Sequence, residues 1–365
     1  MDEVISFISQ GFGREYDRPE NCLPWDGREG GWQGRDTSDS SDVVSDEDIV
    51  NWDQKGAERL HDDLVRAFGD RQFVERDPFG IKEHEGLRYS WESFCKMVKH
   101  HTRFVFFNAK RGRRSRRSFD PDEDRITPAK LILDAIGRLI EKHALVRELP
   151  RRSKLIRARQ HKIRDNPSNA AELGSPPPEK ASQSRMSPAG ISMFYGAEDE
   201  RTAFLETFDP RDKRAKAVTF ATFETARKLR ILDLTQIPDL PSIFDETGFP
   251  QRSGIIFLRH LDDDISKPIA RDGREHYEYI PTQIAAEYFR SVLKIDGNYI
   301  DGIAFKSSRS NAGISYCIFA GPNACADEFR SRKAAPFSFS RKTRYLVLTS
   351  HSRRPVATCR TLYGV

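Results

Sequence analysis

The stretch Arg185-Met-Ser-Pro-Ala-Gly-Ile-Ser-Met-Phe-Tyr-Gly-Ala-Glu-Asp-Glu-Arg-Thr-Ala-Phe-Leu-Glu206 decides how this chain is read. Its apolar run from Ile191 to Ala197 predicts a buried strand, and Asp199 is placed to N-cap a helix through Thr202, Ala203 and Leu205 to Glu206. Arg185, Tyr195 and Glu206 therefore stand at fixed offsets around one strand–helix unit. A cation, an aromatic face and a carboxylate on one wall suit an anionic ligand that carries a flat heterocycle and a sugar. From pattern alone each residue also has a plainer reading: Glu206 as a solvated helix-end carboxylate, Tyr195 as a half-buried strand residue, Arg185 as a surface arginine.

Outward from this stretch, the 365 residues are enough for two domains. Hydrophobic residues make up 37% and charged residues 32%, so the surface is heavily solvated and the 24 Phe must concentrate in the compact parts. A net charge of +5 argues against whole-surface binding of nucleic acid and leaves room for local basic patches. Cys22, Cys95, Cys317, Cys325 and Cys359 are scattered and odd in number, which indicates neither a disulfide framework nor a metal site. The acidic start is not a signal peptide, and no run approaches the roughly 18 apolar residues of a membrane span. A cytoplasmic protein without membrane contact is expected.

Along the chain, the first 55 residues are rich in Gly, Asp and Ser, a composition that builds no core of its own, although Trp25, Trp32 and Trp52 could pin it elsewhere. Helical spacing recurs from Gln54 to Phe68 and from Ser90 to His100. Thr127-Pro128 offers an N-cap and first-turn proline to a helix with Ile132, Ile136, Leu139 and Ile140 on one face, running to about Glu148. After Glu148-Leu-Pro-Arg-Arg-Ser153, strand and helix segments alternate with Pro and Gly punctuation: Leu155–Arg159, Ile231–Leu234, Gly254–Leu258, Thr282–Leu293, Gly302–Phe305 and Ser315–Phe319, with Tyr345–Thr349 as a last strand. No Rossmann glycine motif, Walker loop or metal motif is present, so neither hydride transfer nor P-loop phosphoryl transfer is indicated.

The opening stretch, with Leu155-Ile-Arg-Ala-Arg159 and Leu173-Gly-Ser-Pro-Pro-Pro178 before it and Tyr279-Ile-Pro-Thr-Gln-Ile-Ala-Ala-Glu-Tyr288 and Asp301-Gly-Ile-Ala-Phe-Lys-Ser-Ser-Arg309 after it, resembles the RES domain family in order and content over roughly residues 150 to 325. Leu23-Pro-Trp-Asp-Gly-Arg-Glu-Gly-Gly-Trp32 and Trp91-Glu-Ser-Phe-Cys-Lys-Met-Val-Lys-His100 resemble the HEPN/RES N-terminal type of domain. The resemblance implies an α+β protein: a mostly helical N-terminal domain with a poorly ordered start at residues 1–149, then a mixed α/β, ADP-ribosyltransferase-like RES domain at residues 150–365.

It further implies cleavage of the nicotinamide–ribose bond of NAD, by hydrolysis or with inorganic phosphate as co-substrate. NAD is then a substrate, and no cofactor or metal is required. Glu206, Tyr195 and Arg185 become the catalytic candidates. Arg157 and Ser307 become the NAD-binding candidates, with Arg159, two residues along the same strand face, and Ser308 as weaker ones. Lys306 stands where the family pattern commonly has proline, which leaves Ser307 and Ser308 as rivals; no neighbouring base marks either as a nucleophile. Gln283 and Asn311 lie near matched segments without an assigned role. A bacterial toxin or anti-phage effector follows, held in check by an antitoxin partner or by its own N-terminal half, and forming a homo-oligomer.

Two alternatives remain open. The same fold could transfer ADP-ribose to a macromolecule. Separately, Arg138-Leu-Ile-Glu-Lys-His143 has the Arg-x4-His spacing of HEPN ribonucleases, and Lys110-Arg-Gly-Arg-Arg-Ser-Arg-Arg117 could contact phosphates. Residues five apart lie about 140° apart on a helix, and no aromatic residue interleaves the basic run, so a solvated loop near the acidic Asp36–Asp48 stretch is the plainer reading.

Overall fold

The computed structural model describes residues 2–47, 49–105, 131–267, 273–310, 313–328 and 345–365. They form two compact units whose composition does not follow chain order. One holds the described residues up to Leu87 together with Asp239–Phe257; the other holds those from Arg88 onward apart from that insertion. The chain is α+β.

In the second unit the described residues build a nine-stranded mixed sheet. Its strands are β1 (Val146–Leu149), β2 (Lys154–His161), β3 (Phe194–Ala197), β4 (Ala217–Thr225), β5 (Leu229–Asp233), β6 (Gly302–Lys306), β7 (Ile314–Ile318), β8 (Cys325–Asp327) and β9 (Leu346–Pro355). They lie in the order β8-β9-β4-β2-β3-β7-β6-β5-β1. β5 pairs with β6 and β8 with β9 in parallel, and the other neighbours are antiparallel.

The sheet has one weak seam. β2 is zipped to β4 from end to end, and β3 to β7, but β2 and β3 meet at a single pair, Ile156 opposite Ala197. The two halves therefore separate around that pair, and the edge groups there need partners other than a ladder. Gly196 allows the approach at the seam: a Cβ there would come within 2.8 Å of the Phe194 ring and 3.3 Å of the Ile156 carbonyl oxygen.

Alternation along the strands sends apolar side chains to two faces. Leu155, Phe194, Phe223, Ile231, Tyr316 and Leu346 pack into one core. Ala158, Ala197, Val218 and Phe220 meet Ala203, Phe204 and Phe208, from the Glu200–Thr207 helix and its C-cap, in the other, closed by Val356 and Cys359 of the C-terminal Val356–Tyr363 helix. That last helix had no expectation from sequence.

Several segments depart from their sequence reading. The helix expected to reach Glu148 is Ile132–Lys142 and ends at His143, because Ala144 adopts φ +51 and closes a Schellman turn: Leu145 N–H donates to the Ile140 carbonyl and Ala144 N–H to that of Glu141. Val146–Leu149 then becomes an edge strand paired to β5. The Thr127-Pro128 cap lies outside the described residues. Gly254–Leu258, left without a type among the alternating segments, lies within the Arg252–Ser266 helix. β3 starts at Phe194 rather than Ile191, since Ile191 N–H is spent on a turn to the Pro188 carbonyl beside Gly190 at φ +86.

In the first unit the opening 55 residues build a core together with later segments. Asp2–Glu15, Ser40–Asp46 and Ala57–Phe68 are helices that bury Ile8, Phe12, Val43, Val44, Leu64 and Phe68 with Ile243. Asp39 forms a capping box with Asp42 at the start of the second. A three-stranded sheet orders Tyr16–Asp17, Gln72–Glu75 and Ser38–Asp39. Trp25 and Trp32 face each other across a short hairpin with ring centres 4.9 Å apart, and Trp25 and Trp52 are exposed. No helix among the described residues is long and apolar enough to cross a membrane.

Candidate active site

The seam between β2 and β3 opens into a cavity of ≈ 60 Å³. Arg157 comes from β2, Tyr195 from β3, Phe305 from β6, Ser315 and Tyr316 from β7, and Ala203, Glu206 and Thr207 from one face of the Glu200–Thr207 helix. Asp199 fixes that helix by accepting from Thr202 N–H at 2.8 Å, as the sequence predicts.

Glu206 is set by a loop far away in sequence. Ser307 Oγ donates to Glu206 Oε1 at 2.5 Å, a short charge-assisted bond. Ser307 is buried, and its Oγ also accepts from the backbone N–H groups of Arg309 and Ser310, each at 3.2 Å. Arg309 Nη1 donates to the carbonyls of Leu205 (3.1 Å) and Phe208 (3.2 Å), which flank Glu206. Gly313 lets this loop reach the helix, because a Cβ there would lie 2.0 Å from Thr202 Oγ1. The structure thus gives Ser307, and not Ser308, the bond to Glu206.

Arg157 and Tyr195 face each other across the seam. Arg157 Nη1 donates to the Tyr195 carbonyl at 2.8 Å, supplying a partner for an edge oxygen, and its guanidinium lies 5.4 Å from the centre of the Phe194 ring. Burial lowers the Arg157 pKa from its ordinary value. The Tyr195 hydroxyl is raised well above its usual value, chiefly by burial, and is hydrogen-bonded to Ser184 Oγ and, at 2.9 Å, to Ser187 Oγ. It therefore stays protonated, and the residue offers a ring face more than a titrating group.

The remaining candidates stand apart from this cavity. Arg185 Nη1 donates to the carbonyl oxygens of Ile265 and, at 2.7 Å, Lys267, and its guanidinium lies 5.8 Å from the Tyr279 ring centre. Burial lowers its pKa, opposed by Tyr279 and by the charge of Glu206, so Arg185 is within electrostatic reach of the carboxylate without lining the cavity. Arg159 shares the strand with Arg157 but is exposed and donates to the Glu172 carbonyl.

Sequence reasoning left Gln283 without a role and overlooked Ser184, Ser187 and Ser315. Gln283 Nε2 donates to the carbonyls of Ser184 (2.8 Å) and Ser187 (3.3 Å), tying the Ile280–Ser291 helix to the turn that holds the Tyr195 hydroxyl. For Gln283 and Ser315 the available signal was a polar residue among apolar neighbours; Ser184 and Ser187 lie in a polar stretch that offered none. Asn311 and Lys110–Arg117 lie outside the described residues. Arg138 and His143 do not converge: Arg138 is exposed, while His143 is a buried helix C-cap with both ring nitrogens unpartnered among the described residues. Burial lowers the His143 pKa, with Lys142 adding to the shift.

One buried acid outside the cavity provides a pH probe of the fold. Asp262, on the Arg252–Ser266 helix, is only 6% exposed, and its carboxyl is pushed up to about 6 by burial first, with Asp263 and Asp233 adding to the shift and Lys306 and Ser266 opposing it. Its charged form is thus penalised in the fold. The penalty is full above about pH 6 and disappears as pH falls toward the ordinary value of 3.8. Asp262→Asn is expected to stabilise the protein at pH 7 by on the order of 1–2 kcal/mol. Denaturant titrations at pH 7 and pH 4 check this, the gain being absent at pH 4.

The fold and site together define an α+β protein with a carboxylate-bearing cleft in a split mixed sheet. A family model for the RES domain matches residues 154–341, just over half of the chain, and one for HEPN/RES N-terminal domain 1 matches residues 1–112. The chain belongs to the RES domain family. No curated protein and no solved structure matches it.

Proposed function

We propose that this protein degrades NAD by cleaving the bond between nicotinamide and ribose, with water or inorganic phosphate as acceptor. The observation that carries the reading is Glu206 in the seam cavity, held by Ser307 at 2.5 Å beside Arg157 and the Tyr195 ring. When the glycosidic bond breaks, its electron pair leaves with nicotinamide, which departs neutral, and the ribose acquires oxocarbenium character. A fixed carboxylate beside the sugar stabilises that positive charge more in the transition state than in the ground state. Attack by water then forms ADP-ribose and releases a proton; attack by phosphate forms the ribose phosphate ester. Arg157 supplies a cation for the anionic part of the substrate, and the Tyr195 ring a stacking surface. Arg185 reaches the diphosphate only by leaving the Ile265 and Lys267 carbonyls.

RES membership supports an NAD-related enzymatic role, and its combination with a HEPN/RES N-terminal domain supports a toxin-like module. Loss of NAD stops growth, so we assign the protein to toxins or anti-phage effectors restrained by an antitoxin or by their own N-terminal half. The test is nicotinamide release from NAD by the purified chain, with and without inorganic phosphate. Release that falls in Arg185→Ala is expected. Labelled ADP-ribose on a macromolecule would instead favour transfer, and intact NAD with RNA loss dependent on Arg138 and His143 would overturn the reading.

A further inference from the structure

Five of the six polar side chains that line the seam cavity are already engaged. Arg157 donates to the Tyr195 carbonyl, Glu206 accepts from Ser307, and Thr207 Oγ1 donates to the Ala158 carbonyl at 3.2 Å. The Tyr195 hydroxyl is held by Ser184 and Ser187; that of Tyr316 donates to Glu198 at 2.6 Å and accepts from Arg147 at 3.0 Å. Ser315 is the exception. It is only 4% exposed, and among the described residues its Oγ has no hydrogen-bond partner.

A buried hydroxyl without a partner is costly in a strand whose main chain is paired on both sides, Ser315 lying opposite Phe305 on β6 and Ala197 on β3. An Ala at this position would fit the apolar run Ile314–Phe319 without that cost. Ser315 lines a cavity with room for a small polar group, and Glu206 lines the same cavity. Its ≈ 60 Å³ holds only a fragment of a dinucleotide, so the fragment that meets Glu206 also meets Ser315.

We propose that Ser315 is a substrate-contact residue whose Oγ hydrogen-bonds a polar group of the nicotinamide riboside end of NAD. The assignment rests on the NAD-cleaving reading above and adds a residue to it. Phe305 and Tyr195 supply the apolar walls, Glu206 the charge at the ribose, and Ser315 a hydrogen bond at the same end of the ligand.

The experiment compares Ser315→Ala with the unaltered chain in three measurements: nicotinamide release from NAD, inhibition of that release by ADP, which lacks the nicotinamide riboside, and the thermal midpoint of the ligand-free protein. The expected result is a fall in kcat/KM for NAD of about tenfold, the effect of leaving one ligand group unpaired in a buried site. Inhibition by ADP should be unchanged, and the midpoint unchanged or raised because no protein hydrogen bond is lost. Undiminished kcat/KM would show that the hydroxyl serves only water, and a lowered midpoint would show a structural role; either overturns the proposal. Absence of nicotinamide release by the unaltered chain would sink the NAD reading itself, a result distinct from both.

Discussion

Glu206→Gln is expected to lower nicotinamide release from NAD by about 10²–10³-fold or more, the usual cost of removing one preorganised group that stabilises transition-state charge. The substitution keeps size and an oxygen able to accept from Ser307 Oγ, so the 2.5 Å contact has a neutral counterpart. What it removes is the negative charge beside the ribose. The loss should therefore fall on kcat, with KM little changed, because the charge matters most when the sugar is cationic. A steady-state comparison of the two proteins, with matched thermal midpoints, checks this. Equal kcat in both would remove Glu206 from the chemistry.

Arg157→Ala is the second large effect, with an expected loss in kcat/KM of about a hundredfold or more. Two consequences combine. The cation for the anionic substrate disappears, and the Tyr195 carbonyl at the seam loses the 2.8 Å bond that replaces a missing ladder partner. Because a buried edge carbonyl left unpaired costs on the order of 1–3 kcal/mol, the thermal midpoint should fall as well. Arg157→Lys separates the two contributions: it restores charge without the planar fork, so it should recover stability more than activity. If Arg157→Ala and Arg157→Lys both turn over NAD at the unaltered rate, the residue has only a structural role.

The site was legible from sequence to the extent that its residues sit on short, strongly patterned segments. Asp199 capping a helix that ends near Glu206 is a local arrangement, with donor and acceptor three residues apart, and the structure reproduces it. Ser307 was legible through the resemblance, but its choice over Ser308 was not, because it depends on a contact 101 residues distant in sequence. Ser315 was hidden for another reason: inside Ile314–Phe319 it reads as a small residue tolerated in a buried strand, and only the tertiary structure reveals that its hydroxyl has no partner among the described residues.

The errors follow the same line. The helix from Ile132 stops at His143 because Ala144 takes a left-handed conformation, which nothing in the alanine side chain announces. The opening 55 residues read as building no core of their own, and it takes Leu64, Phe68 and Ile243, the last from the Asp239–Phe257 insertion, to complete one around Ile8, Phe12, Val43 and Val44. What Arg185 touches was likewise out of reach of its position before β3: its partners are the carbonyls at the end of the Arg252–Ser266 helix, about eighty residues on in sequence.

Sequence by itself determined the Tyr195–Glu206 unit, through its cap and apolar periodicity, and, through the ordered motifs that carry the resemblance, the RES membership and the α+β class it implies, since such local signals survive without knowledge of the partner strands. Tertiary structure alone decided where β2 and β3 part, which serine meets Glu206, and which hydroxyl in the cavity lacks a partner among the described residues. Those depend on register and on hydrogen-bond satisfaction between segments distant in the chain, and such pairings have no signature in either segment taken alone.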